Sequence, residues 1–189
     1  KFDEQSGMFV HFKQSPDNPT KSISGNYILS LLEDSNGAIW VGTRGEGLCK
    51  ITFDFFGIPS FTHFKHNPNN KNTIGANNIH FIYIDKKNTL WIGTGGGGLN
   101  RFNPGNNSFT RYNRETLNDA FIDDWVYTIH EDQKGNFWVG TAAGGLNLFD
   151  RDKESFTHFR NDPHDSSSIS NNRVLSLLET RSGDIWIGT

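Results

Sequence analysis

Asp123 and Asp124 stand side by side immediately before Trp125, in the run Phe121-Ile122-Asp123-Asp124-Trp125. Paired carboxylates can serve glycoside hydrolysis, but that chemistry needs two carboxyl groups about 5–9 Å apart across the substrate. Adjacent residues in an extended chain point to opposite sides, so this pair is expected to diverge. His11, His63 and His158 invite a metal reading. They recur at one position of a repeat, on outer strands of separate units, so they are not expected to share an ion. Gly95-Gly96-Gly97-Gly98 resembles a phosphate loop in composition only, because no Gly-Lys-Ser/Thr and no helix follow it. It reads as a tight turn. Asn106-Asn107-Ser108 matches the glycosylation pattern, which is short and common by chance. No Ser-His-Asp set or metal-ligand cluster stands at usable spacing, so no catalytic residue, metal or cofactor is expected.

What must position any site is a repeat. Trp40-Val41-Gly42-Thr43 recurs as Trp91-Ile92-Gly93-Thr94, Trp138-Val139-Gly140-Thr141 and Trp186-Ile187-Gly188-Thr189, at Trp spacings of 51, 47 and 48 residues. Three residues before each Trp is Gly37, Asn88, Gly135 or Gly183, residue types that tolerate the left-handed backbone of a hairpin turn. Six before is Asp34, Asp85 or Asp132, able to cap that turn through its amides, with Thr180 off pattern. After each of the first three motifs a Gly-Leu pair follows, at Leu48, Leu99 and Leu146, and then runs of the Phe156-Thr157-His158-Phe159 kind.

Each unit reads as four short strands, a to d. Strand a is 28–33, 79–84, 126–131 and 174–179; strand b carries the motif Trp; c follows the Gly-Leu turn and d holds the aromatic run. A period near 50 residues with four strands per unit predicts an all-β propeller of four-stranded antiparallel blades. Residues 27–64, 79–112 and 126–159 give three complete blades. Residues 1–12 supply strands c and d alone, and 174–189 supply a and b alone. These complementary half-blades could close a four-bladed ring, belong to a larger ring, or pair between copies, and open strand edges favour some closure or self-association. Both ends of the chain fall inside the pattern, so a piece of a longer protein is expected.

Composition narrows the classes further. The chain has 189 residues, hydrophobic content of 34%, and 18 Lys+Arg against 21 Asp+Glu for a net charge of −3. Mean hydropathy is −0.59. No apolar run approaches the roughly 20 residues of a membrane helix, so this stretch is not expected to contact a bilayer. No basic stripe points to nucleic acid. The single Cys49 excludes an internal disulfide.

The pattern Asp-x-x-Gly-x-(Ile/Leu/Phe)-Trp-(Val/Ile)-Gly-Thr followed by Gly-Gly-Leu resembles the two-component regulator propeller repeat, in four copies spanning essentially the whole chain. The resemblance implies a periplasmic ligand-sensing propeller, frequently for oligosaccharides. It also implies a parent with more blades, an immunoglobulin-like domain, one membrane span and a histidine kinase.

On that architecture the long polar d–a connections and the b–c turns share one face, around the mouth of the central channel, where exposed loops on a rigid scaffold commonly bind. Tyr27, Asn78, Trp125 and Arg173 begin the four innermost strands and are expected to ring the mouth. Arg44, in a b–c turn, and the carboxylates of Asp123 and Asp124 are expected beside them. Aromatic faces stack on sugar CH groups, while amide, carboxylate and guanidinium groups hydrogen-bond hydroxyls. A non-enzymatic oligosaccharide sensor is the leading expectation. A protein-interaction scaffold is the alternative, and a polysaccharide-active enzyme a third.

Overall fold

The turn three residues before each motif Trp is left-handed, with φ of 77° at Gly37, 60° at Asn88, 86° at Gly135 and 86° at Gly183. This conformation favours glycine and is tolerated by asparagine, so these residues fold strands a and b into a tight hairpin. In a computed structural model that describes residues 1–117 and 123–189, the hairpins build three four-stranded antiparallel sheets. The first contains β3 (Ile28–Glu33), β4 (Ile39–Thr43), β5 (Leu48–Phe53) and β6 (Pro59–Phe64). The second contains β7 (Ile79–Ile84), β8 (Leu90–Thr94), β9 (Leu99–Asn103) and β10 (Ser108–Tyr112). The third contains β11 (Val126–Glu131), β12 (Phe137–Thr141), β13 (Leu146–Asp150) and β14 (Ser155–Phe159).

The chain ends form separate two-stranded sheets, β1 (Phe2–Asp3) with β2 (Met8–Phe9), and β15 (Ser176–Glu179) with β16 (Ile185–Gly188). They are not joined into one blade, so the four sheet steps form an open arc. The last inner strand begins at Ser176, short of the expected 174–179, while the Val174 amide donates to the Thr141 carbonyl of the preceding blade at 2.9 Å. The one helical element among the described residues is a single 3-10 turn, Pro19–Lys21. None of the described helices is long and apolar enough to cross a membrane.

The innermost strands β3, β7, β11 and β15 lie next to one another in order, as radial blades require. Blades meet through close fits. A Cβ on Gly42 would come within 2.7 Å of Ile79 Cγ2, one on Gly93 within 2.7 Å of Val126 Cγ1, and one on Gly140 within 2.7 Å of Val174 Cγ1. The glycine of the Trp-x-Gly-Thr motif is therefore a socket for the next inner strand.

Burial of the motif tryptophans follows from what lies beyond them. Trp40 and Trp91 are buried, packing on Phe102 and Phe149 of the next blade at 5.1 and 5.8 Å between ring centroids. Trp138, which faces only the two-stranded β15–β16 sheet, is half-buried. Trp186, with no further blade, is 67% exposed. A motif Trp is fully covered only where strand c of a following blade lies against it.

Candidate functional site

In each whole blade the first strand carries a bulge one residue after its start. Pairing steps from Ile28↔Thr43 to Ser30↔Gly42, from Ile79↔Thr94 to Phe81↔Gly93, and from Val126↔Thr141 to Thr128↔Gly140. Leu29, His80 and Tyr127 are the extra residues. A bulge frees a residue from the ladder and re-aims its side chain. Two of these bulge residues organise a cluster of side chains at the starts of the inner strands.

His80 is the hub. Its ring stacks on Tyr127 with centroids 4.8 Å apart and planes at 13°, and lies 5.8 Å from Trp125. The guanidinium of Arg173 sits over the other blade's Tyr127 at 5.8 Å, a cation–π contact. His80 Nδ1 is 3.2 Å from the Val126 carbonyl and Nε2 is 3.0 Å from Asn78 Nδ2. A carbonyl only accepts, so Nδ1 bears the proton and Nε2 accepts from the Asn78 amide, which defines a neutral imidazole. Burial lowers the His80 pKa, against the smaller raising effect of the Val126 carbonyl. The remaining Asn78 oxygen, Oδ1, is buried without a hydrogen-bond partner among the described residues.

Asn78, Trp125 and Arg173 are thus brought together through His80 and Tyr127. Tyr27 is not part of this group. It pairs with Arg44, whose guanidinium lies 5.3 Å over the tyrosine ring and whose amide donates to the Tyr27 carbonyl at 2.9 Å. The same turn-to-strand bond recurs as Gly95 N to Asn78 O at 2.8 Å and Ala142 N to Trp125 O at 2.9 Å, so Arg44, Gly95 and Ala142 occupy one position. Glycine at 95 has a local reason, since a Cβ there would come within 2.7 Å of Asn78 Nδ2 and 2.9 Å of His80 Cε1.

The two carboxylates diverge and serve the loops. Asp123 accepts from the amides of Trp125 at 3.1 Å and Ala143 at 2.5 Å. Asp124 Oδ1 accepts from the Arg114 amide at 2.8 Å. They hold Trp125 in place, 45% exposed, with Gly96 and Gly98 amides bonded to the Asp124 carbonyl. Phe121 and Ile122, which share that sequence run, lie outside the described residues. His63 and His158 bond to separate partners, Ser22 O at 2.8 Å and Asn147 Oδ1 at 2.6 Å. No group of three or more metal-ligating residues occurs among the described residues.

His80 and Tyr127 were missed by sequence reasoning, which stopped at the first residue of each inner strand. The available signal was composition two residues further on, where His80 and Tyr127 replace Leu29 and Leu175.

Four-stranded antiparallel sheets that adjoin in order through their inner strands define a β-propeller repeat protein. The two component regulator propeller model matches residues 22–45, 73–96, 120–143 and 168–189, and the chain belongs to that family. No curated protein matches it. Among solved structures, it resembles the extracellular domain of a protein assigned as a hybrid two-component system of B. thetaiotaomicron, with TM-score 0.75 and 20% identity, over 100% of this chain and 23% of that one. PorZ, a surface component of the type-IX secretion system of Porphyromonas gingivalis, aligns with TM-score 0.69 and 19% identity over 100% of this chain and 27% of that one. Virginiamycin B lyase of Staphylococcus aureus aligns with TM-score 0.57 and 14% identity over 92% and 50%. At these identities the likeness concerns the fold. The chain spans 21% to 35% of the length of three B. thetaiotaomicron extracellular domains, one described as that of a one component system and two as those of hybrid two component systems.

Proposed function

We propose that this chain is part of the periplasmic sensor propeller of a bacterial two-component regulator, and that it binds an oligosaccharide at the channel mouth without transforming it. The observation that carries the reading is the Trp125 ring, 45% exposed and 5.8 Å from the His80 ring, which itself stacks on Tyr127 beneath the Arg173 guanidinium. An aromatic face offers stacking to the CH surface of a pyranose, and the donors around it suit ring hydroxyls. Asp123 and Asp124 are turned to backbone amides and leave no facing acid/base pair, which supports binding rather than hydrolysis. Signalling to a kinase would follow from an arrangement of the parent that the bound sugar favours.

Calorimetry of the intact ectodomain against the sugars selected on a glycan array tests this. Saturable binding without turnover is expected, weakened about tenfold or more by Trp125→Ala, equivalent to about 1.4 kcal/mol. Unchanged affinity in that variant would remove the mouth as the binding site, and release of reducing ends would make the protein an enzyme.

A further inference from the structure

Tyr112 and Glu154 close the seam between the second and third whole blades. Tyr112 ends β10, Glu154 lies in the turn between β13 and β14, and the phenol donates to Glu154 Oε1 at 2.7 Å. The repeat puts Phe64 and Asn107 at the same two positions of the preceding seam. Leu48↔Phe64 and Leu99↔Tyr112 are matching register pairs, as are Asn103↔Ser108 and Asp150↔Ser155. Asn107 and Glu154 share left-handed backbone, with φ of 53° and 52°. Phe64 packs on Phe102 at 5.5 Å as Tyr112 packs on Phe149 at 5.0 Å. The first seam therefore has the same frame without the latch. Phenylalanine has no hydroxyl to donate, and the Asn107 side chain makes no hydrogen bond among the described residues.

A groove of about 380 Å³ opens at that seam, with Asn70, Asn72, Asn106 and Asn107 along its sides. Phe64, Ile74 and Phe109 supply its apolar part and are themselves buried. The walls are held in place. Arg111 donates to the carbonyls of Asn70 and Thr73 at 2.8 and 2.7 Å, and the Phe109 amide donates to the Asn72 carbonyl at 2.8 Å. On the turn side, Ser108 Oγ donates to Asn106 Oδ1 at 2.7 Å. Walls fixed in advance lower the ordering cost of binding.

The hydrogen-bonding groups left over are amides. Among the described residues, Asn72 and Asn107 keep both side-chain polar atoms free, and Asn70 and Asn106 keep their nitrogens. None of the described residues lining the groove is a carboxylate, and its Lys65 is paired with Glu46 at 2.8 Å. A side-chain amide presents a donor beside an acceptor, which adjacent hydroxyl groups match, whereas an ion would find no compensating charge. The volume lies at the lower end of the roughly 300–1,000 Å³ of small-molecule sites. We propose that this seam is a second ligand site, separate from the Trp125 cluster, and that it takes a neutral polyhydroxylated ligand the size of one or two sugar residues. What Trp125 binds does not enter the argument.

Saturation-transfer NMR of the intact ectodomain tests this, with glucose, galactose, mannose, maltose and cellobiose as probes and glucuronate as the charged control. A saturable signal is expected from at least one neutral probe, and a weaker one from glucuronate. Phe64→Tyr combined with Asn107→Glu rebuilds the latch that the next seam already accommodates, and should abolish the signal. Asn72→Ala alters an exposed side chain, so it reports even if the latched variant does not fold. It should weaken the probe about fivefold, the loss of one neutral hydrogen bond. Trp125→Ala should leave the signal unchanged. The proposal is overturned if no neutral probe binds saturably, if glucuronate binds more tightly than all of them, or if the signal survives both changes at the seam. A probe that survives those changes and is lost with Trp125→Ala belongs to the Trp125 cluster, and the function proposed above then stands without a second site.

Discussion

The indole Nε1 of Trp91 donates to Asp85 Oδ2 at 2.9 Å. Trp40 and Trp138 make the same bond to Asp34 and Asp132 at 2.8 and 2.9 Å. In each case the other carboxylate oxygen accepts two turn amides, for Asp85 those of Lys87 and Thr89 at 3.0 and 2.8 Å. The repeated Asp thus ties the hairpin turn to the ring that packs against the next blade. Only Asp85 also receives a guanidinium, that of Arg151 at 2.8 Å, which bridges to Glu131 at 2.6 Å.

That difference sets a stability contrast. Asp85→Ala strips Arg151 of one of its two carboxylate partners in a largely buried site and should cost about 3–5 kcal/mol. Asp34→Ala removes hydrogen bonds beside a Lys50 contact at a loose 3.8 Å and should cost about 1–2 kcal/mol. Urea unfolding of both variants measures the gap. Equal losses would mean that the Arg151 bridge adds nothing.

Gly93→Ala should destabilise by about 1–3 kcal/mol, the usual cost of forcing an extra methyl into a packed contact. The clash is with the Val126 side chain. Val126→Ala in the same chain should therefore recover part of the loss, and thermal melts of the two single variants and the double variant would give a coupling of about 1 kcal/mol.

Acidification should weaken the fold in two separate steps. The folded pKa of His80 lies below its ordinary value of 6.5. Between those two values the unfolded chain holds a proton that the folded one does not, so stability is full above pH 6.5 and declines below it. Burial alone would raise the carboxyls of Asp34, Asp85 and Asp132, but the indole and amide donors outweigh it and hold them below 3.8. Their contribution is present above pH 3.8 and is lost as pH falls through the lowered values. Denaturant midpoints measured across pH should show both declines, and His80→Gln should abolish the upper one only.

Cys49 should be inert while the protein is folded. It is buried, and burial pushes its thiol up to about 11, opposed only by an amide bond from Ser24. The thiolate is the reactive species, so a thiol reagent at neutral pH should label the chain only after denaturant is added. Fast labelling of the native protein would place Cys49 at the surface.

Much of the fold was legible because its determinants are local and repeated. A left-handed Gly or Asn, an Asp three residues earlier and a Trp three later specify one hairpin, and strands 28–33, 79–84 and 126–131 follow from alternation on either side. The bulges at His80 and Tyr127 were not legible, since a bulge is a mismatch in pairing and leaves the strand's residue types unchanged. The Arg151 bridge was hidden for another reason. Its partner Asp85 is 66 residues away and Arg151 occurs once, so periodicity says nothing about it. Repetition does not report cover either, since Trp186 matches Trp40 in type and register yet is 67% exposed where Trp40 is buried. For the cluster, sequence register named Asn78, Trp125 and Arg173, while the two rings that connect them stand two residues further on, where only the change from Leu29 and Leu175 to His80 and Tyr127 marks them.

A bulge at the same step of successive inner strands separates two tasks that a propeller would otherwise have to trade against each other. Ile79, Val126 and Val174 hold the blades together, and the neighbouring His80 and Tyr127 stand outside the ladder, stacked on each other across two blades. Exchanging the residue at that step therefore rewrites this cluster one blade at a time while the joints stay intact, which makes its chemistry adjustable independently of the frame that carries it.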